Sequence, residues 1–304
     1  MRDHEVSIII PLYNKEKFIK DTLVSVYDQS YQFWHCVIVD DGSTDDSVSI
    51  VKEYINDKDG FELIIRSENY KKGASTCRNI GLSQSRSEFV QFLDADDIIS
   101  KNKIYSQVTF FQNNRGFELC TCKWGNLSSK DSFVMQSLES YNNFEDISLF
   151  LNSLIKSKGY FPIHAYLIKR KLVDRSGPWN EEISLNDDGE FIMRVIANTT
   201  KIGFCESAVA YYRSTDSNNL SSFDDYYKVK IAINSWKLID SYLESFLNGG
   251  QDNFISWSKQ KLYINVKNSF PGLITLEWKF FWRQIILDLT NRLNRKINFL
   301  KSDG

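Results

Sequence analysis

Four short apolar runs with helix-patterned segments between them constrain this chain more than any other feature. VSIIIPL (6–12), HCVIVD (35–40), FELIIRS (61–67) and EFVQFLD (88–94) are of strand length and almost unbroken in apolar character. EKFIKDTLVSVYDQ, VSIVKEYI and GASTCRNIGLSQS lie between them and carry the i, i+3, i+4 spacing of amphipathic helices. A sheet with one wet face would alternate apolar and polar residues. Continuous apolar strands joined by helices predict a parallel α/β sheet covered on both faces. Ser43 or Thr44 is placed to cap the second of these helices. In open sheets of this kind ligands bind beyond the carboxyl ends of the strands. Those ends read Pro11-Leu12-Tyr13-Asn14, Asp40-Asp41-Gly42-Ser43 and Asp94-Ala95-Asp96-Asp97.

The remaining chain is less regular. KIYSQVTFFQNN, FEDISLFLNSLI and GEFIMRVIANT read as helices, FELCTCKW and KIGFCESAVAYYR as strands, and HAYLIKRKLVDRSG as a strand entering a helix. Residues 125–145 are polar and read as loop. Beyond Ser214 the pattern is helical, and TDSNNLSSFDD is a natural boundary. The expected organisation is a catalytic domain over 1–222 and a helical C-terminal region over 223–304.

Composition excludes several classes. Lys and Arg number 37 against 39 Asp and Glu, a net charge of −2, which leaves no electrostatic footprint for nucleic acid. MRDHEVSIIIPLYN lacks a secretory pattern, and no run of about 18 apolar residues is long enough to span a membrane. The five cysteines are odd in number and irregular in spacing. They read as structural thiols of a reducing, cytoplasmic setting.

Crowding Asp94, Asp96 and Asp97 at one strand end sets like charges against each other. A divalent cation reverses that cost. Mg²⁺ and Mn²⁺ prefer oxygen ligands, and a site with one or two protein carboxylates completes its sphere with water and substrate phosphates. Asp-x-Asp at a strand end therefore predicts a metal holding a diphosphate. The plain alternative is a solvated Asp-rich turn. A second acidic turn at Asp40-Asp41, on the same sheet edge, weighs against it.

Taken together, the motifs resemble the inverting family 2 glycosyltransferases of the GT-A fold, of the kind that build bacterial surface polysaccharide. VSIIIPLYNKEKFIKDTLVSVYDQSYQFWHCVIVDDGSTDDS is similar to that family's opening, GASTCRNIGL to its Arg-Asn helix, and FLDADD to its DxD strand end. GPWNE (177–181), NDDGEF (186–191), Tyr211-Tyr212-Arg213 and Leu220-Ser221 resemble its later elements, so the likeness spans roughly residues 5–222. Asp187-Asp188 stands where the family carries Glu-Asp. A phosphatase reading of the same DxD is disfavoured because Asp97-Ile98 replaces the Gly-Thr such enzymes carry.

The resemblance implies a GT-A fold, with a Rossmann-like, mostly parallel central sheet flanked by helices and a helical C-terminal extension. It implies transfer of a sugar from a nucleotide-sugar donor, with UDP as the leading nucleotide, to a hydroxyl of a glycan or lipid-linked oligosaccharide, assisted by Mn²⁺ or Mg²⁺. Pro11, Tyr13, Asn14 and Asp41 would then line the nucleotide pocket; Tyr13 offers a flat face, and a carboxylate can accept the uracil N3–H. Asp94 would meet ribose or metal-bound water, Asp96 or Asp97 the metal, and Arg78 the acidic cluster or the diphosphate. Asp188 would be the general base, kept charged by the helix that follows it, with Asp187 or Glu190 able to share the role. The alternative is a catalytically silent relative that binds the sugar nucleotide for sensing or assembly. In the tail, Trp278, Trp282, Ile285, Ile286, Leu289, Leu293, Ile297 and Leu300 share one helical stripe. It leaves open packing on the catalytic domain, a homodimer contact, or a peripheral contact with the inner face of the cell membrane.

Overall fold

The computed structural model describes residues 5–128, 132–213, 225–244 and 253–302, with side chains in the last segment for 254–295. The chain divides into two compact units, Met1–Asn219 and Leu220–Gly304. Of the expected boundary segment, only Asp225 falls among the described residues.

The first unit opens with β1 (Val6–Leu12), α1 (Ile19–Tyr27), β2 (Trp34–Asp40), α2 (Ser47–Ile55), β3 (Phe61–Ile65), α3 (Ala74–Ser83) and β4 (Phe89–Phe92). β5 (Ile98–Ile99), α4 (Lys103–Asn113), β6 (Leu119–Leu127), β7 (Phe133–Met135) and α5 (Ile147–Ser157) follow. β8 (Leu167–Lys169), α6 (Arg170–Ser176), α7 (Asp187–Ala197) and β9 (Ile202–Arg213) complete it. The strands form one sheet in the order β3-β2-β1-β4-β8-β6-β9-β5, with β7 on the side of β6.

The first half of that sheet is parallel, as the apolar runs predict. Leu12 pairs with Asp40, Asp40 with Ile65, and Ile9 with Phe92, so the carboxyl ends of β1 to β4 form one edge. Ile8, Ile9, Ile10, Val37, Ile38 and Val39 are fully buried. Each such side chain contributes about 1.5–3 kcal/mol by leaving water. Helix α3 lies very close on β1: a Cβ on Gly81 would meet Ile9 Cγ2 at 2.5 Å. The glycine is what allows that approach.

The second half is mixed. β8 runs antiparallel to both β4 and β6, β6 and β9 are parallel, and β5 is antiparallel to β9. The long β9 carries a register shift against β6 at Cys122/Lys123. This bulge lets one strand pair with the core at its start and with β5, just past the acidic loop, near its end. Polarity predicted loop over 125–145, but the stretch is partly strand: β6 runs through Leu127, and β7 pairs with it antiparallel. All five cysteines are free and buried.

The second unit holds α8 (Tyr226–Glu244), α9 (Asn253–Ser269), α10 (Pro271–Leu276) and α11 (Trp278–Ser302). Val229, Ile233, Leu243, Val266 and Phe281 form its buried interior. Ion pairs Lys259–Asp240 (2.9 Å) and Lys267–Asp288 (2.8 Å) tie its helices together. No described helix is long and apolar enough to cross a membrane.

Candidate active site

The loops after β1 and β2 are stitched into one surface. Asn14 adopts the left-handed conformation (φ 49°), which asparagine tolerates better than most residues. Its backbone N–H donates to Ser43 Oγ (3.0 Å), and its Oδ1 accepts from the Thr44 N–H (2.8 Å). Ser43 and Thr44 are thus spent on the β1 loop and cap no helix; α2 begins later, at Ser47. Asp40 holds the β2 turn by accepting from the N–H groups of Gly42 (2.9 Å) and Ser43 (3.1 Å). Asp41 is nearly buried. Its Oδ1 accepts from Arg66 Nε (2.5 Å) and from the Gly73 N–H (3.2 Å). Pro11 lies in β1 opposite Val39. Tyr13 is 42% exposed, with Lys72 Nζ 3.9 Å from its ring centroid.

The acidic loop is held from three sides. Within it, the Asp97 N–H donates to Asp94 O (3.1 Å). From α1, Thr22 Oγ1 lies 3.0 and 2.8 Å from the carbonyl oxygens of Ala95 and Asp97. From the end of β9, the Arg213 N–H donates to Asp97 Oδ1 (2.7 Å), and its Nε donates to Asp96 O (2.9 Å). Asp97 Oδ2 lies 3.0 Å from Nδ1 of the fully buried His164. Burial pushes the Asp97 carboxyl up to about 6, although His164 beside it favours the charged form. These contacts give Asp97 a structural part in the loop. The expectation that it meets a metal directly does not fit a carboxylate 1% exposed, with one oxygen taken by the Arg213 N–H and the other facing His164. Of the two register alternatives the geometry favours Asp96. Its Oδ2 lies 2.5 Å from Lys15 Nζ, near the surface.

Arg78 connects the two acidic segments. It sits on α3, 4% exposed, and its two terminal nitrogens donate to Asp94 Oδ1 (2.7 Å) and Asp187 Oδ2 (2.8 Å). Burial works against the guanidinium's charge, but Asp94 and Asp187 together hold it firmly protonated. Its plane lies 4.2 Å from the ring centroid of Trp179, which stacks on Phe191 of α7 at 4.1 Å. The next residue, Asn79, fixes that tryptophan's backbone: its Nδ2 donates to Trp179 O (3.0 Å), and its Oδ1 accepts from the Trp179 N–H (2.8 Å). The Arg-Asn pair therefore locates the start of α7 against the acidic loop.

Asp188 lies in the first turn of α7. The charged form that the helix N-terminus was expected to favour is opposed there. Burial first, and the like charge of Asp187 second, push the Asp188 carboxyl up to about 6, although Arg78 pulls the other way. Tyr160 also feels Asp188 and Asp97, and its phenol is raised chiefly by burial. Glu190 is turned away from the acidic loop: it is 1% exposed and bonded to Arg194 Nε at 2.8 Å, so these two form a structural pair.

The structure thus gathers Asp94, Asp96, Asp187 and Asp188 around Arg78 and Lys15. Asp41 stands near the same helix, where it raises the Cys77 thiol after burial has done most of the work. Lys15, Arg66 and Arg213 were given no role in the sequence reading. Lys15 and Arg66 directly follow strand-end segments on the functional edge, so position alone could have named them.

Among the described residues no group of three metal-ligating side chains stands ready to bind a metal by itself. The residues do fit a hard divalent ion that shares its sphere with substrate phosphates and needs only one or two protein carboxylates. The Lys15 ammonium shows that Asp96 already favours a positive charge there.

Known proteins agree with this architecture. Residues 7–177 match the family described as glycosyl transferase family 2. A Bacillus subtilis protein named putative teichuronic acid biosynthesis glycosyltransferase TuaG is 39% identical over 105 residues, 34% of this chain and 41% of its own. The chain spans less than half the length of that relative. Staphylococcus aureus TarS, residues 1–349, solved with UDP-GlcNAc, superposes with a TM-score of 0.67 at 23% identity, covering 91% of this chain and 75% of that one. The Pyrobaculum calidifontis mannosyltransferase PcManGT, solved with GDP-Man and Mn²⁺, does so at 0.58 and 15% identity, covering 94% and 81%. At these identities the likeness to solved structures is one of fold.

Proposed function

Because the chain belongs to glycosyl transferase family 2, we propose that it transfers a sugar, with inversion, from a nucleotide-sugar donor to a hydroxyl of a glycan or lipid-linked acceptor. The donor we favour is UDP-linked. TarS was solved with UDP-GlcNAc, and TuaG is named for teichuronic acid synthesis. The setting we propose is the cytoplasm, at the inner face of the membrane.

One observation carries the reading. A single buried arginine, Arg78, ion-pairs with the acidic loop through Asp94 and with the start of α7 through Asp187. It thereby sets a donor-side carboxylate group and an acceptor-side one at a fixed separation. Pro11 near the end of β1, Tyr13 and Asn14 on the loop after it, and Asp41 at the β2 turn form the nucleotide side. Asp96, with Asp94 beside it, would hold Mn²⁺ or Mg²⁺, which supplies positive charge to the departing diphosphate.

Asp188 supplies the base. As the acceptor oxygen bonds to the anomeric carbon, its proton passes to the Asp188 carboxylate, while the bond to the diphosphate oxygen breaks and takes its electron pair with it. A carboxyl raised to about 6 is a stronger base than a free one and is still ionised near neutral pH. No protein acid is required on the leaving side, in contrast to glycosidases.

The test compares the wild type with Asp96→Ala and Asp188→Asn for UDP-sugar binding and turnover in Mn²⁺. Asp188→Asn should bind donor and turn it over poorly. Asp96→Ala should lose the metal-dependent part of binding. Donor binding without turnover in the wild type, across acceptor pools, would favour the silent binding role.

A further inference from the structure

From the exposed face of α11, we infer that the C-terminal unit docks on an anionic lipid surface. Trp278, Trp282, Ile286, Leu289 and Leu293 follow one another at three- and four-residue steps, and each is 48–60% exposed. They form a continuous stripe on the side of α11 opposite the buried Phe280, Phe281 and Gln284. Five large apolar side chains left open in a row are a contact surface. Of the expected stripe members, Ile285 is half-buried, and Ile297 and Leu300 lie outside the described side chains.

Charge selects the occupant. Between Trp278 and Ser302 the sequence holds Lys279, Arg283, Arg292, Arg295, Lys296 and Lys301 against Asp288 alone, in a chain whose net charge is −2. Helical spacing puts Lys279 and Arg283 along one margin of the stripe and Arg292 along the other. Lys279 Nζ and the Arg283 guanidinium lie 5.8 and 5.2 Å from the rings of Trp278 and Trp282. The one carboxylate sits on the inner side, 24% exposed, bonded to Lys267 and to Arg292 (3.2 Å). A second copy of the chain would bring an identical stripe with identical cationic margins, and no carboxylate on that face would neutralise them. Lipid phosphates would. Indole rings within an apolar stripe that cations flank suit the boundary between acyl chains and headgroups. The helix lies in the surface plane, since no described helix can cross it.

This inference deepens the membrane setting proposed above, and its readout, partition, is separate from sugar turnover. The full chain is mixed with vesicles of phosphatidylcholine, with and without phosphatidylglycerol, and followed by co-sedimentation and tryptophan emission. Binding to the anionic vesicles should exceed binding to the neutral ones by at least about tenfold, with a blue shift of emission. It should fall as salt rises from about 0.1 to 1 M and the screening length shrinks from about 10 to 3 Å. Trp282→Glu with Leu289→Glu should abolish binding, with far-ultraviolet circular dichroism and donor turnover in lipid-free buffer unchanged. Lys279→Gln with Arg283→Gln, a change confined to exposed side chains, should remove the preference for anionic vesicles. Equal partition into both vesicle types, or none into either, overturns the inference. So does a lipid-free dimer in the ultracentrifuge that the Trp282→Glu pair dissociates, which would assign the stripe to a second copy.

Discussion

Asp96 and Asp188 are the same residue type at two ends of one site, and their surroundings treat them oppositely. Asp96 has an ammonium 2.5 Å away and lies near the surface. Asp188 is half-buried beside another carboxylate, and its carboxyl is pushed up to about 6. A carboxylate given a cation is ready to hold positive charge; one set beside a like charge, with no ammonium or guanidinium bonded to it, is ready to accept a proton. Arg78, between them, draws both acidic segments together while neutralising Asp94 and Asp187. The proposed division between a metal side and a base side thus rests on which carboxylates the protein pairs.

The largest effect expected from breaking that contrast is on chemistry. Asp188→Asn should lower sugar transfer by about 10²–10⁴-fold, with donor affinity by calorimetry little changed. Next comes the clamp. Arg78→Ala leaves two carboxylates facing each other without their shared cation, and should cost about 3–5 kcal/mol in denaturant unfolding. Gly81→Ala reaches the same contrast indirectly. A methyl group forced against Ile9 lifts α3, and Arg78 with it, from the sheet; an overpacking cost of about 1–3 kcal/mol is expected, with reduced turnover. The smallest change sharpens the metal side. Lys15→Met removes the cation that competes for Asp96, and should lower the Mn²⁺ concentration for half-maximal activity severalfold, on the order of 1 kcal/mol.

Much of the parallel half was legible because its strands are buried on both faces, so that VSIIIPL and HCVIVD read as strands without any partner being known. Their shared direction put Tyr13, Asp41 and Asp94 on one edge. The other half resisted reading for a physical reason: β8, β6, β9 and β5 pair in mixed directions, and β9 changes register at a bulge, which no local periodicity records. Polarity concealed β7, whose Val134 and Met135 are exposed. Asp97 looked like its neighbours until His164, far along the chain, was found against it. Asp188 lies in the first turn of α7, the helix the sequence placed there. Burial and Asp187 push its carboxyl up, and neither can be weighed without the fold.

The most direct test of the paired-carboxylate account is the pH dependence of donor turnover at saturating UDP-sugar and Mn²⁺, for the wild type and Asp187→Asn. With Asp188 as the proposed ionised base, activity should rise with pH through about 6 in the wild type. Removing the like charge of Asp187 should move that rise to lower pH. A wild-type profile flat through this range, or a rise that stays in place in Asp187→Asn, would contradict the assignment of Asp188 and the electrostatic division built on it.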